Sequence, residues 1–324
     1  MSYSRIYILG SVFVLLVLGM NPFITTQGFA KTSMLTTVIG AVINIILDPI
    51  LIFGFGLGVQ GAAIATVLSQ AVGAAWILQF LTGKKTILRI RKKNLILKPE
   101  IILPCVALGL ATFIMQASES IISVCFNSSL LKYGGDIAVG AMTILTSVMQ
   151  FAMLPLQGLG QGAQPVLSYN YGARRPSRVK NSGIVMALMV FCYTAIMWSL
   201  IILAPGMLIR IFSSDSVLVA DAIPALKQYF AAFIFMDLQY IGQTTFKSLN
   251  KKKQAIFFSL LRKVFIVVPL TYLMPYTLHM GTDGVFLAEP VSNVIGGSFC
   301  FITMLCTVLP ELKRMGQDNA AVGR

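Results

Sequence analysis

The sequence predicts an all-α protein, a polytopic bundle of transmembrane helices. Of its 324 residues, 56% are hydrophobic and only 11% are charged, whereas soluble domains carry about 25% charged residues. A soluble fold could not bury so much apolar surface. A membrane span needs about 20 mostly apolar residues. The chain has nine such stretches, near residues 6–27, 33–55, 59–82, 101–131, 137–165, 182–212, 219–246, 255–278 and 284–309.

The net charge of +14 would suit a nucleic-acid-binding protein, but the positions of the charges argue against that class. Lysines and arginines form short groups between apolar stretches, as the positive-inside rule predicts for cytoplasmic loops. The groups are Lys84, Lys85, Arg89, Arg91, Lys92, Lys93 and Lys98; Arg174, Arg175, Arg178 and Lys180; Lys247, Lys251, Lys252 and Lys253, with Arg262 and Lys263 entering the next span; and Lys313, Arg314 and Arg324, with Lys31 after the first span. This alternation predicts a cytoplasmic C-terminus and an external N-terminus.

The residue types that serve catalysis are sparse or wrongly spaced for an enzyme. The chain has five cysteines and one histidine, without a C-x-x-C or Cys/His metal pattern. No H-E-x-x-H, Asp-rich diphosphate or G-x-S-x-G motif occurs in the sequence. We therefore expect no catalytic residue, no metalloenzyme centre and no organic cofactor.

One short segment recurs along the chain. The third apolar stretch begins Gly58-Val-Gln-Gly61-Ala-Ala-Ile-Ala65-Thr-Val-Leu-Ser69-Gln70, and the ninth begins Gly281-Thr-Asp-Gly284-Val-Phe-Leu-Ala288-Glu-Pro-Val-Ser292-Asn293. Glycine, alanine and serine recur at the same spacing, and an amide follows each serine. Chance is the alternative explanation, since small residues are common where membrane helices touch.

If the recurrence is a repeat, it predicts the organisation of the chain. Six spans separate the copies, so both have the same orientation, as in parallel repeats. The same offset places the counterpart of residue 101 before Met1. We therefore expect nine visible spans of an inferred twelve in two parallel six-helix lobes. Residues 1–83 would form the second half of the N-terminal lobe, 84–100 a cytoplasmic inter-lobe loop and 101–324 the C-terminal lobe.

Ionisable residues inside spans are costly and usually functional, and the chain has four acids in such positions. Asn44 and Asp48 lie one turn apart on the second span, so they share a helix face. They predict a cation or proton site; the alternative is a structural Asp48 that binds backbone groups freed by Pro49.

The other three acids lie in the later spans. In the fourth span, Glu119 belongs to a polar stripe that predicts the wall of a wet cavity. The other members of that stripe are Gln116, Ser120, Ser123 and Asn127. Gln150 belongs to a polar face of the fifth span, and Asp237 shares a face of the seventh with Tyr240. Glu289 ranks last, since it lies near the outer end of the ninth span and could sit at the membrane interface.

Two further segments have distinctive sequences. The first is Gly40-Ala-Val-Ile-Asn44-Ile-Ile-Leu-Asp48-Pro49, followed by Gly58-Val-Gln-Gly61, and the second is Gln164-Pro165-Val-Leu-Ser-Tyr169-Asn170-Tyr171-Gly172-Ala173. The first resembles the fifth and sixth helices of the multidrug and toxic compound extrusion (MATE) family, and the second resembles the loop after the eighth helix of that family. The resemblance covers the whole chain and is greatest to a bacterial branch that contains the MepA-type exporters.

This resemblance implies a plasma (inner) membrane antiporter of a bacterium. Such a protein exports cationic organic compounds by alternating access in exchange for H⁺ or Na⁺. Asn44 and Asp48 match a polar pair of the N-terminal lobe, Glu119 matches the acid of the seventh helix, and Asp237 falls near the acid of the tenth. The sequence register at the tenth helix is uncertain by about two residues, so Gln239 is the alternative to Asp237 at that position. The acid that part of the family carries on its first helix would precede Met1.

The resemblance also implies partners and bound ions. The partners would be the lipid bilayer and small cationic substrates, without nucleic acid, and the protein would be a monomer. The coupling ion would be H⁺ or Na⁺, with Na⁺ at Glu119 or Asp48. Two alternatives stay open: a lipid-linked oligosaccharide flippase of the same superfamily, which would favour a cavity rich in Arg and Lys, and a truncated fragment that does not transport.

Overall fold

The computed structural model describes residues 2–84, 86–91, 98–212 and 215–322, which form α-helices joined by short turns. No strand occurs in these ranges. The chain divides into two compact units, Met1–Lys98 and Pro99–Arg324. Among the basic residues assigned to cytoplasmic segments, Lys85, Lys92, Lys93 and Arg324 lie outside the described residues.

The first unit contains three long helices. They are α1 (Ser2–Thr26), α2 (Ala30–Pro49, continued by a π-helical turn, Ile50–Gly54) and α3 (Gly58–Thr82). The side-chain oxygen of Gln27, between α1 and α2, accepts hydrogen bonds from the Thr86 hydroxyl at 2.6 Å and from the backbone N–H groups of Ile87 at 2.8 Å and Leu88 at 3.0 Å. One side chain therefore holds the segment after α3 against the α1–α2 turn.

In the described part of the second unit there are nine α-helices, of which the first, α4, is broken. They are α4 (Pro99–Gly172), α5 (Pro176–Leu203), α6 (Pro205–Phe212), α7 (Ser216–Tyr229), α8 (Phe233–Ser248), α9 (Lys252–Leu260), α10 (Val268–Thr277), α11 (Gly281–Ser292) and α12 (Ser298–Val322). Gly135 breaks α4 because its φ of 64° and ψ of −159° are not helical; glycine tolerates this conformation. Two π-helical segments, Leu261–Val267 and Asn293–Gly297, join α9 to α10 and α11 to α12.

The apolar helices account for the predicted spans. In the described ranges, seven helical segments are long and apolar enough to cross a membrane, and α7 with α8 forms an eighth as a pair bent by 53°. One of the seven, Gln116–Gly172, has 57 residues, far more than the roughly 20 that one span needs, and the break at Gly135 divides it in two. The helical membrane bundle is confirmed, and this division gives nine spans.

Two of the expected spans differ from the structure in detail. The sixth ends at Leu203 instead of near residue 212, because Pro205, which has no N–H group, begins the separate short helix α6. The seventh is not one helix but two, with the break at residues 230–232. The hydropathy of the sequence runs through both interruptions, so it could not reveal them.

The break between α7 and α8 is closed by aromatic side chains. Trp198 on α5 donates its indole N–H to the Phe230 carbonyl at 3.0 Å. The rings of Tyr229, Phe230 and Phe233 pack edge to face, with centroids 5.4 Å and 5.1 Å apart along the series. A helix can break inside a membrane only where its freed backbone groups find partners. The indole hydrogen bond and the packed rings therefore stabilise the chain at this break.

The recurring glycines have the same conformation in both units. Gly58 and Gly281 begin α3 and α11 with φ values of 51° and 56°, a left-handed conformation that glycine adopts without strain. A Cβ atom on Gly61 would lie 2.7 Å from the carbonyl carbon of Leu51, and one on Gly284 would lie 2.9 Å from the backbone nitrogen of Pro275. In each unit the second glycine thus allows two helix backbones to touch.

The recurring serines also match. Ser69 donates its hydroxyl hydrogen to the Thr66 carbonyl at 2.8 Å, and Ser292 donates to the Glu289 carbonyl at 2.7 Å. Both serines are buried. The segments that recur in the sequence therefore perform the same packing role in each unit.

We predict that Gly61→Ala and Gly284→Ala each destabilise the protein by about 1–3 kcal/mol, the usual result of overpacking. The added methyl group would press on the backbone of the preceding helix, which cannot rotate away. Thermal unfolding in detergent, followed by intrinsic fluorescence, measures the effect. The matched control is Gly162→Ala, since a Cβ there meets nothing within 4 Å. Equal unfolding temperatures for all three variants and the parent would contradict this account of the repeat.

Candidate functional site

Asp237 is a buried acid that has no basic partner among the described residues. It lies one turn after the break between α7 and α8, and it is 1% exposed. The Thr194 hydroxyl on α5 donates to Oδ1 at 2.8 Å. Among the described residues, Oδ2 has no hydrogen-bond partner and no lysine or arginine forms an ion pair with the carboxyl group. An isolated buried carboxylate is costly, so this group is suited to binding a proton or a small cation.

Two neighbours of Asp237 on α8 face other helices. Tyr240 donates its hydroxyl hydrogen to the Leu156 carbonyl of α4 at 2.7 Å. Gly160 makes room for that contact, since a Cβ atom there would collide with the tyrosine hydroxyl. Gln239 is also buried, and its amide donates to the Phe258 carbonyl at 3.4 Å. Both alternatives for the acid position of the tenth helix, Asp237 and Gln239, are thus buried. Their side chains contact different helices.

Glu119 has a basic partner that the sequence did not indicate. Its carboxylate accepts a hydrogen bond from the ammonium group of Lys263, which lies in the π-helical segment Leu261–Val267. The lysine side chain is 11% exposed and the glutamate side chain 54% exposed. Glu119 is therefore an accessible carboxylate whose charge is already balanced from within the protein.

The residue before Lys263 forms a second, more enclosed ion pair. Arg262 donates to Glu289 Oε1 at 2.6 Å and to Asn293 Oδ1 at 2.7 Å. All three residues are buried. The pair joins the π-helical segment after α9 to α11 and to the segment that follows α11. Its enclosure and its two hydrogen bonds are typical of a structural element.

The remaining predicted site residues fall into two groups. In the first unit, the Asn44 amide donates to Asp48 Oδ1 at 3.3 Å, and both side chains are partly exposed. In the second unit, Gln116, Asn127 and Gln150 have exposed side chains. The described contacts connect Glu119 with Lys263 and Asp237 with Thr194, but do not join the two acids to each other.

Arg262 and Lys263 require a correction. Both were expected next to a cytoplasmic cluster, where the chain enters a span; they lie inside the apolar helical segment Lys252–Thr277, and both are buried in ion pairs. Glu289, which ranked last as an interface residue, is buried as well. The missed signal was the presence of two bases inside an apolar stretch, since a base in such a position needs an acid from elsewhere in the fold.

Comparison with known proteins identifies the family. The family model MatE matches residues 111–273, half of the chain. The chain belongs to the MatE family. The matched range contains Glu119, Asp237, Arg262 and Lys263.

Several relatives and solved structures support the assignment. The multidrug export protein MepA of Staphylococcus saprophyticus is 26% identical over 321 residues, covering 98% of this chain and 69% of the relative. MepA of Staphylococcus haemolyticus is 24% identical over 99% of this chain and 69% of its own length. An outward-facing MATE family multidrug resistance transporter has the same fold, with a TM-score of 0.89, 23% identity and coverage of 97% of this chain and 70% of that one. A MOP superfamily transporter from Pyrococcus furiosus also has a TM-score of 0.89 at 23% identity, over 96% and 70% of the chains.

We predict that Arg262→Met lowers the free energy of unfolding by about 3–5 kcal/mol, because Glu289 is left as a buried, unpaired charge. The double variant Arg262→Met/Glu289→Met removes both charges and should recover much of that loss. Thermal unfolding in detergent compares the variants. The control is Lys251→Met, which breaks the more exposed 2.5 Å pair with Glu311 and should cost about 1 kcal/mol or less. An Arg262→Met variant as stable as the control would be incompatible with a structural role for the pair.

Proposed function

We propose that this MatE protein is an antiporter, driven by H⁺ or Na⁺, that exports cationic organic compounds by alternating access. It is not an enzyme, and its only cofactor is the coupling ion. The observation that carries the proposal is Asp237, a buried carboxyl group with one unpartnered oxygen, next to a broken membrane helix. Broken helices of this kind hold ions in many secondary transporters. The MepA relatives are named as multidrug export proteins.

The two acids of the second unit have different roles in this proposal. Asp237 binds the coupling ion, because one H⁺ or Na⁺ neutralises a charge for which the described residues supply no basic partner. Glu119 binds the organic cation, because its half-exposed carboxylate is accessible to a larger ligand. The coupling ion and the organic cation bind the two conformations of the transporter with different affinities. Binding of the ion to Asp237 therefore favours one conformation, and release of the organic cation favours the other.

The first unit supplies a second candidate ion site in the same proposal. Asp48 and Asn44 lie one turn apart on α2 with partly exposed side chains. Carboxylate and amide oxygens are suitable ligands for a hard cation such as Na⁺. The proposed transporter lies in the plasma membrane of a bacterium, and its C-terminus is cytoplasmic. It acts as a monomer on small cationic substrates and does not bind nucleic acid.

A second candidate function is the transfer of an anionic, lipid-linked oligosaccharide. The two basic side chains buried within a span, Arg262 and Lys263, are the observation that favours it. Each of them is bonded to a glutamate, so the group of four charges is balanced and offers no net attraction for a diphosphate. Cation export is favoured instead by Asp237, whose carboxyl group has no basic partner among the described residues.

Transport by carboxylate variants tests the proposal. We expect Asp237→Asn to abolish gradient-driven export of ethidium from proteoliposomes under both imposed H⁺ and imposed Na⁺ gradients, because the amide cannot take up either ion as the carboxylate does. Glu119→Gln should reduce export at subsaturating ethidium, and Glu119→Asp should retain part of it.

The control for these variants is Asp221→Asn, which neutralises an exposed acid on α7 and should export at the parent rate. Equal protein per liposome is checked for every variant. Export by Asp237→Asn at the parent rate would eliminate Asp237 as the coupling site. Uptake of a fluorescent lipid diphosphate, with no ethidium export, would favour the second candidate.

The orientation of the chain is tested by chemical labelling. The five native cysteines, none of which forms a disulfide, are first replaced, and single cysteines are then introduced by Asn250→Cys and His279→Cys. An impermeant thiol reagent applied to intact cells should label position 279, which the proposal places outside. Position 250 should react only after the membrane is opened. Labelling of position 250 in intact cells would reverse the proposed topology.

A further inference from the structure

Two consecutive basic residues of one span have different surroundings. The side chains of Arg262 and its partner Glu289 are 11% and 9% exposed, so this pair is enclosed on both sides. The side chain of Lys263 is also 11% exposed, but its partner Glu119 is 54% exposed. One pair is therefore sealed, whereas in the other an enclosed lysine reaches towards an open carboxylate.

Arg262 fixes the backbone from which Lys263 extends. Its stem packs on Gly296, where a Cβ atom would lie 2.8 Å from the arginine Cγ. Its guanidinium group is held by both Glu289 and Asn293. Both pairs start from the π-helical segment Leu261–Val267, and π-helical segments are frequent at functional sites. The backbone at Lys263 is thus anchored by its neighbour, and the lysine carries its charge on a four-carbon stem with several rotatable bonds.

The charges around Glu119 leave little attraction for an external cation. Glu119 and Glu289 are balanced by Lys263 and Arg262. Lys247 on α8 adds a further positive charge, close enough to Lys263 for the two to repel each other. A cation that arrives at Glu119 therefore meets a carboxylate that already holds an ammonium group.

We propose that Lys263 is a tethered counter-ion of Glu119, which a cationic substrate displaces when it binds. This inference rests on the proposed role of Glu119 as the substrate carboxylate. The lysine neutralises Glu119 whenever the site is empty, so Glu119 is not left as an unpaired carboxylate in the membrane interior. It also weakens the binding of every cation by the same competition, and it thereby determines which substrates bind strongly enough to be carried.

Binding of tetraphenylphosphonium, a permanent cation, to the purified full chain in detergent tests the inference by calorimetry. We expect Lys263→Gln and Lys263→Met to bind it more tightly than the parent, on the order of tenfold, the factor for about 1.4 kcal/mol of lost competition. Lys263→Arg should bind with parent affinity or less, because the competing charge remains. The gain should vanish in Lys263→Gln/Glu119→Gln, because the carboxylate that it frees is gone.

The matched control is Lys251→Gln, which removes a lysine from the pair with Glu311 and should leave the affinity unchanged. Two neutral variants are used at position 263 so that the test still works if one of them misfolds. Gel filtration detects misfolded protein. If both neutral variants at position 263 bind tetraphenylphosphonium with unchanged or weaker affinity, and Glu119→Gln also weakens binding, the counter-ion role of Lys263 is overturned. Glu119 then remains the substrate carboxylate. Unchanged binding in Glu119→Gln as well overturns both assignments.

Discussion

The cost of a charge in hydrocarbon is the constraint on which the second unit depends. Glu119 and Glu289 are each bonded to a base on the same π-helical segment, and these pairs connect α4 and α11 to that segment. Asp237 is bonded only to a hydroxyl and has one oxygen without a described partner. The second unit thus neutralises one enclosed acid and one half-exposed acid internally, and it leaves the buried Asp237 available to an external ion.

Irregular backbone lies next to several of these charged groups. Arg262 and Lys263 extend from a π-helical segment, and Asn293 begins another. Asp237 follows the break between α7 and α8 by one turn, where an indole N–H binds a freed carbonyl. A regular helix would satisfy its backbone without help, whereas these interruptions need side-chain partners. The same packing therefore positions the functional groups and makes the interruptions stable.

The sequence located most of the candidate site but not its pairing. Hydropathy and helical spacing identified Asp48, Glu119 and Asp237, since an acid in an apolar stretch is conspicuous without any knowledge of its neighbours. The bases were misread because a lysine or arginine near a span end resembles a loop residue. Lys263 meets Glu119 from a distant part of the chain, and no local pattern records that contact.

The sequence by itself determined the class of the protein, its helical spans and the recurring glycine segments. Hydropathy and small-residue spacing are local properties, and in a lipid bilayer they decide directly which segments span the membrane and where helices touch. Only the tertiary structure decided where spans break and which charges are sealed. The interruption after Tyr229 depends on Trp198, which lies elsewhere in the chain and binds the Phe230 carbonyl. The half-open Glu119 and the enclosed Glu289 have the same side-chain chemistry, and packing alone distinguishes them.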